Sequence, residues 1–330
     1  MRLLFACCVM VVTTLTYGQV YTADAPVDRE TRGKVLEACA AALKRAYIFE
    51  DVGARMAQAL QDRKAAGAYE NLTGSQDFAR QVTADLQAIS SDKHLRLDYS
   101  PEVTPPTSTA PATEALARRE RFEREANYGF ERVERLNGNV GYLEMRMFAT
   151  NSPRADEVAS AAMTFLAQAD ALIIDLRRNT GGNPGMIAYV SSYLFDERVH
   201  LNDLFWRAAN RTDEFWTRAD VAGRKFGGTK AIFVLTSHQT FSGAEEFAYN
   251  LQALKRATIV GETTGGGAHP VGPEFVGEHF VLALPRGRAI NPITKTNWEG
   301  KGVVPDVVVP GGEALDKARD LALSALHRPG

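Results

Sequence analysis

The chain has 330 residues, 45% hydrophobic and 24% charged, with a formal net charge of -2 at pH 7. It is long and apolar enough to bury a large core in about two domains. With no basic run, no cationic excess and 9% aromatic residues, its charge pattern excludes a nucleic-acid partner.

Met1-Arg2, an apolar run from Leu3 to Leu15 and small residues near Gly18 have the layout of a secretory signal peptide. The run is shorter than the roughly 20 apolar residues that span a bilayer. Residues 1–18 are therefore expected to be cleaved, giving an exported, periplasmic or secreted protein with no stable membrane insertion. Cleavage removes Cys7 and Cys8, leaving Cys39 alone and excluding an internal disulfide. Cys39 lies among Val35, Leu36, Ala42 and Leu43 at helical spacing and reads as a small buried hydrophobe.

From residue 29 to 89 apolar side chains recur every three or four positions: Val35, Leu36, Leu43 and Tyr47, then Phe78, Val82, Leu86 and Ile89. The spacing predicts a small helical N-terminal domain over residues 24–98. Residues 99–128 read as a linker, first rich in Pro, Thr and Ser, then in charges of both signs, with helix at its end.

Residues 129–330 read as an α/β domain. Strands are expected at 140–148, 171–176, 231–235 and 258–260, and helices at 153–169 and 243–254. Such βαβ units with short apolar strands imply a mostly parallel sheet buried under helices. A glycine-rich loop spans 261–272, strands are expected at 279–284 and 303–309, and a helix at 313–327 closes the chain.

The segment Thr240-Phe-Ser242-Gly243-Ala-Glu-Glu-Phe247 sets a serine between an apolar strand and an amphipathic helix. There Ser242 would gain from the positive helix end, and the free amide of Gly243 could stabilise an oxyanion. An ordinary helix N-cap uses serine at the same place, so this segment alone does not assign chemistry.

Three further segments follow the same order as in a known family. Leu172-Ile-Ile-Asp175-Leu-Arg177-Arg-Asn179-Thr-Gly181-Gly182, the Ser242 segment, Val260-Gly261-Glu262-Thr-Thr-Gly-Gly-Gly267 and Trp298-Glu299-Gly-Lys-Gly302-Val-Val-Pro305-Asp306 together resemble the core of the tail-specific, carboxyl-terminal-processing serine peptidases. That family also holds the tricorn protease core and the modules of interphotoreceptor retinoid-binding protein. The resemblance covers roughly residues 139–310 and implies a crotonase-like α/β fold with Ser242 as nucleophile.

Upstream, Ser91-Asp92-Lys93-His94 resembles the short D-x-H segment of the tricorn-like and retinoid-binding-like branch, which makes His94 the expected general base. The carboxyl-terminal-processing branch instead places a lysine in the glycine-rich turn, where this chain has Gly265, Gly266 and Gly267. By similarity with the tricorn core, Glu299 orients the imidazole, Ser91 supports it, and Gly181 or Gly182 completes an oxyanion hole with Gly243. Asp175 and Arg177 are expected to brace the loop rather than react. His238 and His269 stay open as alternative bases.

The glycine turn lacks the Gly-Lys-Ser/Thr ending of a phosphate loop, and no histidine pair has metal-ligand spacing. No cofactor and no metal are expected. The reading is an exported serine peptidase that cleaves a peptide or protein through an acyl-enzyme on Ser242. Its activity should rise with pH near 6 to 7. The interval between His94 and Asn139 is too short for the inserted PDZ domain common in the family, and the oligomeric state is left unset. The alternative is a non-catalytic carrier of apolar ligands on the same fold.

Overall fold

In the computed structural model, residues 24–101 and 109–327 are described. The expected signal peptide and part of the expected linker lie outside them. In chain order the elements are α1 (Arg29–Ala46), α2 (Glu50–Ala65), α3 (Ser75–Ser90), β1 (Arg96–Tyr99), α4 (Thr109–Glu125), β2 (Phe130–Leu136), β3 (Val140–Met145), α5 (Pro153–Leu166), β4 (Ala171–Asp175) and α6 (Pro184–Ser191). There follow β5 (His200–Trp206), β6 (Arg211–Trp216), β7 (Ala231–Thr236), α7 (Gly243–Ala253), β8 (Thr258–Gly261), β9 (Val271–Phe275), β10 (Phe280–Pro285), β11 (Gly287–Ile290), β12 (Val307–Val308) and α8 (Ala314–Leu326).

The central sheet has the order β12-β8-β7-β4-β3-β2; only the β2–β3 pair is antiparallel. Every residue of β3 and β4 is buried, because helices cover both faces. Strand alternation decides which face each side chain serves. Leu143, Leu172, Ile174, Ile232 and Val234 pack in the core with α5, α6 and α7, whereas Tyr142, Ile173, Phe233 and Leu235 pack with α8.

Asp28 caps α1 by accepting the Thr31 amide at 2.7 Å. The apolar faces of α1, α2 and α3 meet around Val35, Leu43, Met56, Phe78, Val82 and Leu86, and Cys39 is buried there with its thiol pushed up to about 12 by that burial. This core also contains Val276, Phe280, Leu282 and Leu284. The N-terminal helices therefore share their hydrophobic layer with β10, about 200 residues on. Three short amphipathic helices need a second layer to bury their wide apolar faces, and the antiparallel sheet β1-β10-β9 supplies it. The register Arg96↔Ala283 to Tyr99↔Phe280 fixes the segment around His94 against the C-terminal half.

The expected linker contains a 17-residue helix, α4, whose Glu123 is buried and accepts from Thr150 N and Oγ1. Strand β12 is much shorter than expected, because Val303 turns aside to bond Thr264 and Pro305 has no amide to donate. The β5–β6 hairpin, extended by β11, gave no clear signal in the sequence and forms a third sheet over α7.

Candidate active site

Three neighbouring parallel strands, β8, β7 and β4, deliver three loops to one edge of the sheet, at the carboxyl ends where open α/β sheets bind ligands. The loop after β4 carries Asn179–Gly182, that after β7 carries Ser242, and that after β8 carries the glycine turn. They are stitched by the Phe241 amide donating to Asn179 O (3.1 Å) and the Gly265 amide donating to Thr240 O (2.9 Å).

Ser242 is the N-cap of α7, with φ 55° and ψ -122°, a conformation that strains a residue with a side chain. A sharp turn between strand and helix holds such a serine out toward the cavity, as in the nucleophile elbow of other hydrolases. Ser242 is half-buried. Gly181 lies so close that a Cβ there would come within 2.8 Å of Ser242 Cβ and 2.7 Å of Gly243 N.

The Gly181 amide donates to Asn179 Oδ1 at 2.9 Å, so of the two glycines proposed by similarity it is already committed. No acceptor takes the amides of Gly182 or Gly243 among the described residues. These two loops interlock: a Cβ on Gly243 would come 2.9 Å from Gly182 N. The paired free amides at a helix N-terminus suit a developing oxyanion.

A residue that the sequence reading left without a role organises this geometry. Glu245, fully buried, accepts from Ser242 N (2.8 Å), Thr264 Oγ1 (2.5 Å), Gly266 N (2.6 Å) and Gly267 N (2.8 Å). Burial raises its carboxyl above the ordinary range, and the four donors work against that. The signal was present in the sequence as the Ser-x-x-Glu spacing of a capping box.

Where the carboxyl-terminal-processing branch has a lysine, the space is filled. A Cβ on Gly267 would come within 2.4 Å of Phe241 Cζ and 2.6 Å of His94 Cε1. The His94 ring itself lies on Phe241, centroids 4.6 Å apart.

His94 is buried, and its Nδ1 has no partner. Burial pushes its imidazole down to about 4, against the opposing charge of Asp92. No hydrogen bond spans Ser242 Oγ and His94 among the described residues. The donor atoms of Asp92, His94 and Glu299 all lie within 4.8 Å of one another. Glu299 Oε2 accepts the Ala268 amide at 2.5 Å, Oε1 is buried without a partner, and burial raises the carboxyl to about 7.

Asp92 binds the group together: Oδ1 accepts the His94 amide (3.0 Å), and Oδ2 faces His269 Nδ1 (2.7 Å) and the Tyr47 hydroxyl (3.2 Å). With both Asp92 oxygens engaged by neighbouring donors, the trio is placed to hold and pass a proton. His269 is buried, with Glu299 Oε2 3.6 Å from its Nδ1.

Ser91, expected to support His94, is exposed and ends α3 in the left-handed conformation (φ 56°), while Asp92 and Tyr47 occupy the place assigned to it. His238 is exposed and bonds Glu262 at 3.0 Å, away from this cluster. Asp175 pairs with Arg177 at 2.6 Å, and Arg177 reaches Gly311 O, so the pair braces the loop.

A cavity of about 370 Å³ opens beside Ser242, walled by Leu204 and Trp206 of β5, Ala289 of β11, Trp298 and His269, with Glu246 of α7 at its side. A serine on a strained strand-to-helix turn, free amides beside it and a buried histidine–carboxylate cluster belong to the class of serine-type peptidases.

The comparisons place the chain within that class. Residues 139–309 match the model of peptidase family S41, and residues 28–127 match the N-terminal domain of that peptidase in eukaryotic IRBP. The chain belongs to peptidase family S41. Over 184 residues it is 27% identical to the carboxy-terminal-processing protease of Bartonella bacilliformis, covering 53% of this chain and 40% of that protein. It thus spans well under half the length of that curated relative.

Among solved structures, a putative peptidase from Parabacteroides merdae superposes with a TM-score of 0.61 at 16% identity, covering 91% of this chain and 98% of that one. The photosystem II D1 C-terminal processing protease superposes with a TM-score of 0.53, also at 16% identity, covering 92% and 98%. At such identity these two establish the fold.

Proposed function

We propose that this chain cleaves peptide bonds of a peptide or protein through an acyl-enzyme on Ser242, with His94 as general base and Glu299 as its orienting carboxylate. The observation that carries this reading is the convergence of Ser242, the free amides of Gly182 and Gly243, and the unpartnered His94 Nδ1 at one sheet edge. Ser242 Oγ attacks the scissile carbonyl carbon while His94 takes the hydroxyl proton, and the two amides receive the oxyanion. Collapse expels the amine, which leaves with the proton from His94. Water, deprotonated by the same imidazole, then releases the acid and restores the serine.

Burial keeps His94 neutral, as a base must be, and catalytic hydrogen bonds that are long without substrate tighten in the complex. His94 is taken as the base because its ring lies on Phe241, the residue next to the serine, and because the D-x-H resemblance assigns it. His269, whose Nδ1 is held by Asp92 as an orienting carboxylate would hold it, is the second candidate that the His269→Ala variant tests. The glycine turn leaves no room for a Ser-Lys dyad.

The name of the bacterial relative supports a processing protease with peptide or protein substrates. Export is proposed from the expected signal peptide; among the described residues no helix is long and apolar enough to cross a membrane. N-terminal sequencing of protein recovered outside the cytoplasm tests this, and an intact Met1 there would sink it.

The decisive experiment is fluorophosphonate labelling of the purified protein and its Ser242→Ala, His94→Ala and His269→Ala variants. Expected are complete loss in Ser242→Ala, a drop of roughly 10²–10⁴-fold in His94→Ala and less than tenfold in His269→Ala. A folded wild type that never labels would overturn the reading in favour of a carrier of apolar ligands.

A further inference from the structure

Glu246 lies one helical turn after Ser242 and lines the same cavity. It is 5% exposed, and its Oε1 is buried without a hydrogen-bond partner. Asn202 lies beside it, close but outside hydrogen-bond geometry; it is fully buried, and neither atom of its amide has a partner. Asn202, Leu204 and Trp206 alternate along β5 and so share one face, which makes the amide continuous with the cavity wall.

An acidic side chain in the first turn of a helix gains from the dipole, but it gains as much when exposed. Burying a carboxylate with an empty acceptor is costly unless a partner arrives. Among the described residues no cation is paired with it: the arginine lining the cavity, Arg119, is bonded to Glu123 at 3.0 Å.

We propose that Glu246, with Asn202, forms the floor of a side-chain pocket that selects a lysine or arginine of the substrate beside the bond that Ser242 attacks. The proposal rests on the acyl-enzyme reading above. Leu204, Trp206 and Ala289 cover the aliphatic stem, while the cationic head meets Glu246 Oε1 and the Asn202 carbonyl. Before substrate binds, burial lifts the Glu246 carboxyl to about 8, and an incoming cation draws it back to the ionised form. Such a site offers an acidic side chain no counter-charge and leaves its buried polar groups unmatched by leucine.

The test uses diphenyl phosphonate probes carrying a lysine, leucine or glutamate side chain, in which Ser242 Oγ bonds to phosphorus and phenol leaves. The readout is the ratio of lysine-probe to leucine-probe labelling rates, with unfolding curves to check each variant. Wild type is expected to prefer lysine by roughly tenfold or more. Glu246→Gln should bring the ratio near unity, and adding Asn202→Asp to that variant should restore most of the preference. Asn202→Asp alone, with a second carboxylate, should raise the ratio if Glu246→Gln does not fold.

A wild-type ratio near unity, or one untouched by Glu246→Gln, overturns the pocket while fluorophosphonate labelling of Ser242 leaves the acyl-enzyme reading standing. Failure of every probe, fluorophosphonate included, overturns both.

Discussion

Glu245 Oε2 accepts the Ser242 amide hydrogen at 2.8 Å, and through the same carboxylate the serine turn is tied to the amides of Gly266 and Gly267. One buried side chain thus sets the position of the candidate nucleophile relative to the loop that packs on His94. Charge-assisted hydrogen bonds of this kind contribute about 1.5–3 kcal/mol each, and unmet buried donors cost as much.

Glu245→Gln keeps the shape but turns an amide N–H₂ toward donors, so it is expected to lower the unfolding midpoint and slow fluorophosphonate labelling by roughly 10–100-fold. Unchanged labelling together with an unchanged midpoint would remove Glu245 from this role.

The backbone of Ser242 stores strain that glycine would not feel. Ser242→Ala and Ser242→Gly should both lose labelling, yet the glycine variant should unfold later than the alanine variant. The strain relieved, about 1–3 kcal/mol, exceeds the extra chain entropy of glycine. Paired thermal melts read the difference, expected at roughly 2–4 °C per kcal/mol. A glycine variant less stable than the alanine one would contradict the positive φ.

The pH profile separates the two buried groups. With His94 pushed down to about 4 by burial, its base form is present well below the 6 to 7 expected from an ordinary imidazole. Glu299, raised to about 7 by burial, gains its negative charge as pH rises through neutrality, and that charge favours the imidazolium formed during attack. Labelling is therefore expected to rise near pH 7 in wild type and to be flat there, and roughly 10-fold or more slower, in Glu299→Gln. A rise near 7 that survives in Glu299→Gln assigns the titration to another group.

Gly267→Ala places a methyl against Phe241 and His94 at distances no real side chain tolerates. Labelling should fall by an order of magnitude or more as the imidazole is displaced. Wild-type rates in this variant would show that His94 is not where the reaction needs it.

Glu246 bears on stability as well as selection. Its folded carboxyl titrates near 8 against an ordinary 4.5, so the folded state holds its proton longer than the unfolded chain. The stabilisation is full below about 4.5 and is lost as pH rises toward 8. Thermal unfolding at pH 5 and pH 8 should show a smaller decline for Glu246→Gln than for wild type, by several degrees. Equal declines would mean that solvent reaches this carboxyl.

Much of the fold was legible because its signals are local. Apolar runs at 171–176 and 231–235, helical spacing in α1, α3 and α7, and the glycine turn after β8 each depend on residues a few positions apart. The four ordered motifs carried the family for the same reason. The β5–β6 hairpin was missed: its faces alternate only weakly, with half-buried aromatics, and its partner β11 lies some 80 residues away.

By itself the sequence determined the α/β class, the family and the serine at the strand–helix junction, since periodicity, caps and motif order are written along the chain. Only the tertiary structure decided which groups surround that serine. The pairing of β1 with β10 carries His94 across 148 positions toward Ser242, Asn179 claims the amide of Gly181 and leaves that of Gly182 free, and Asp92 rather than Ser91 joins the histidines. Each of these turns on which acceptor a buried donor finds, and that competition is settled only when distant strands have packed.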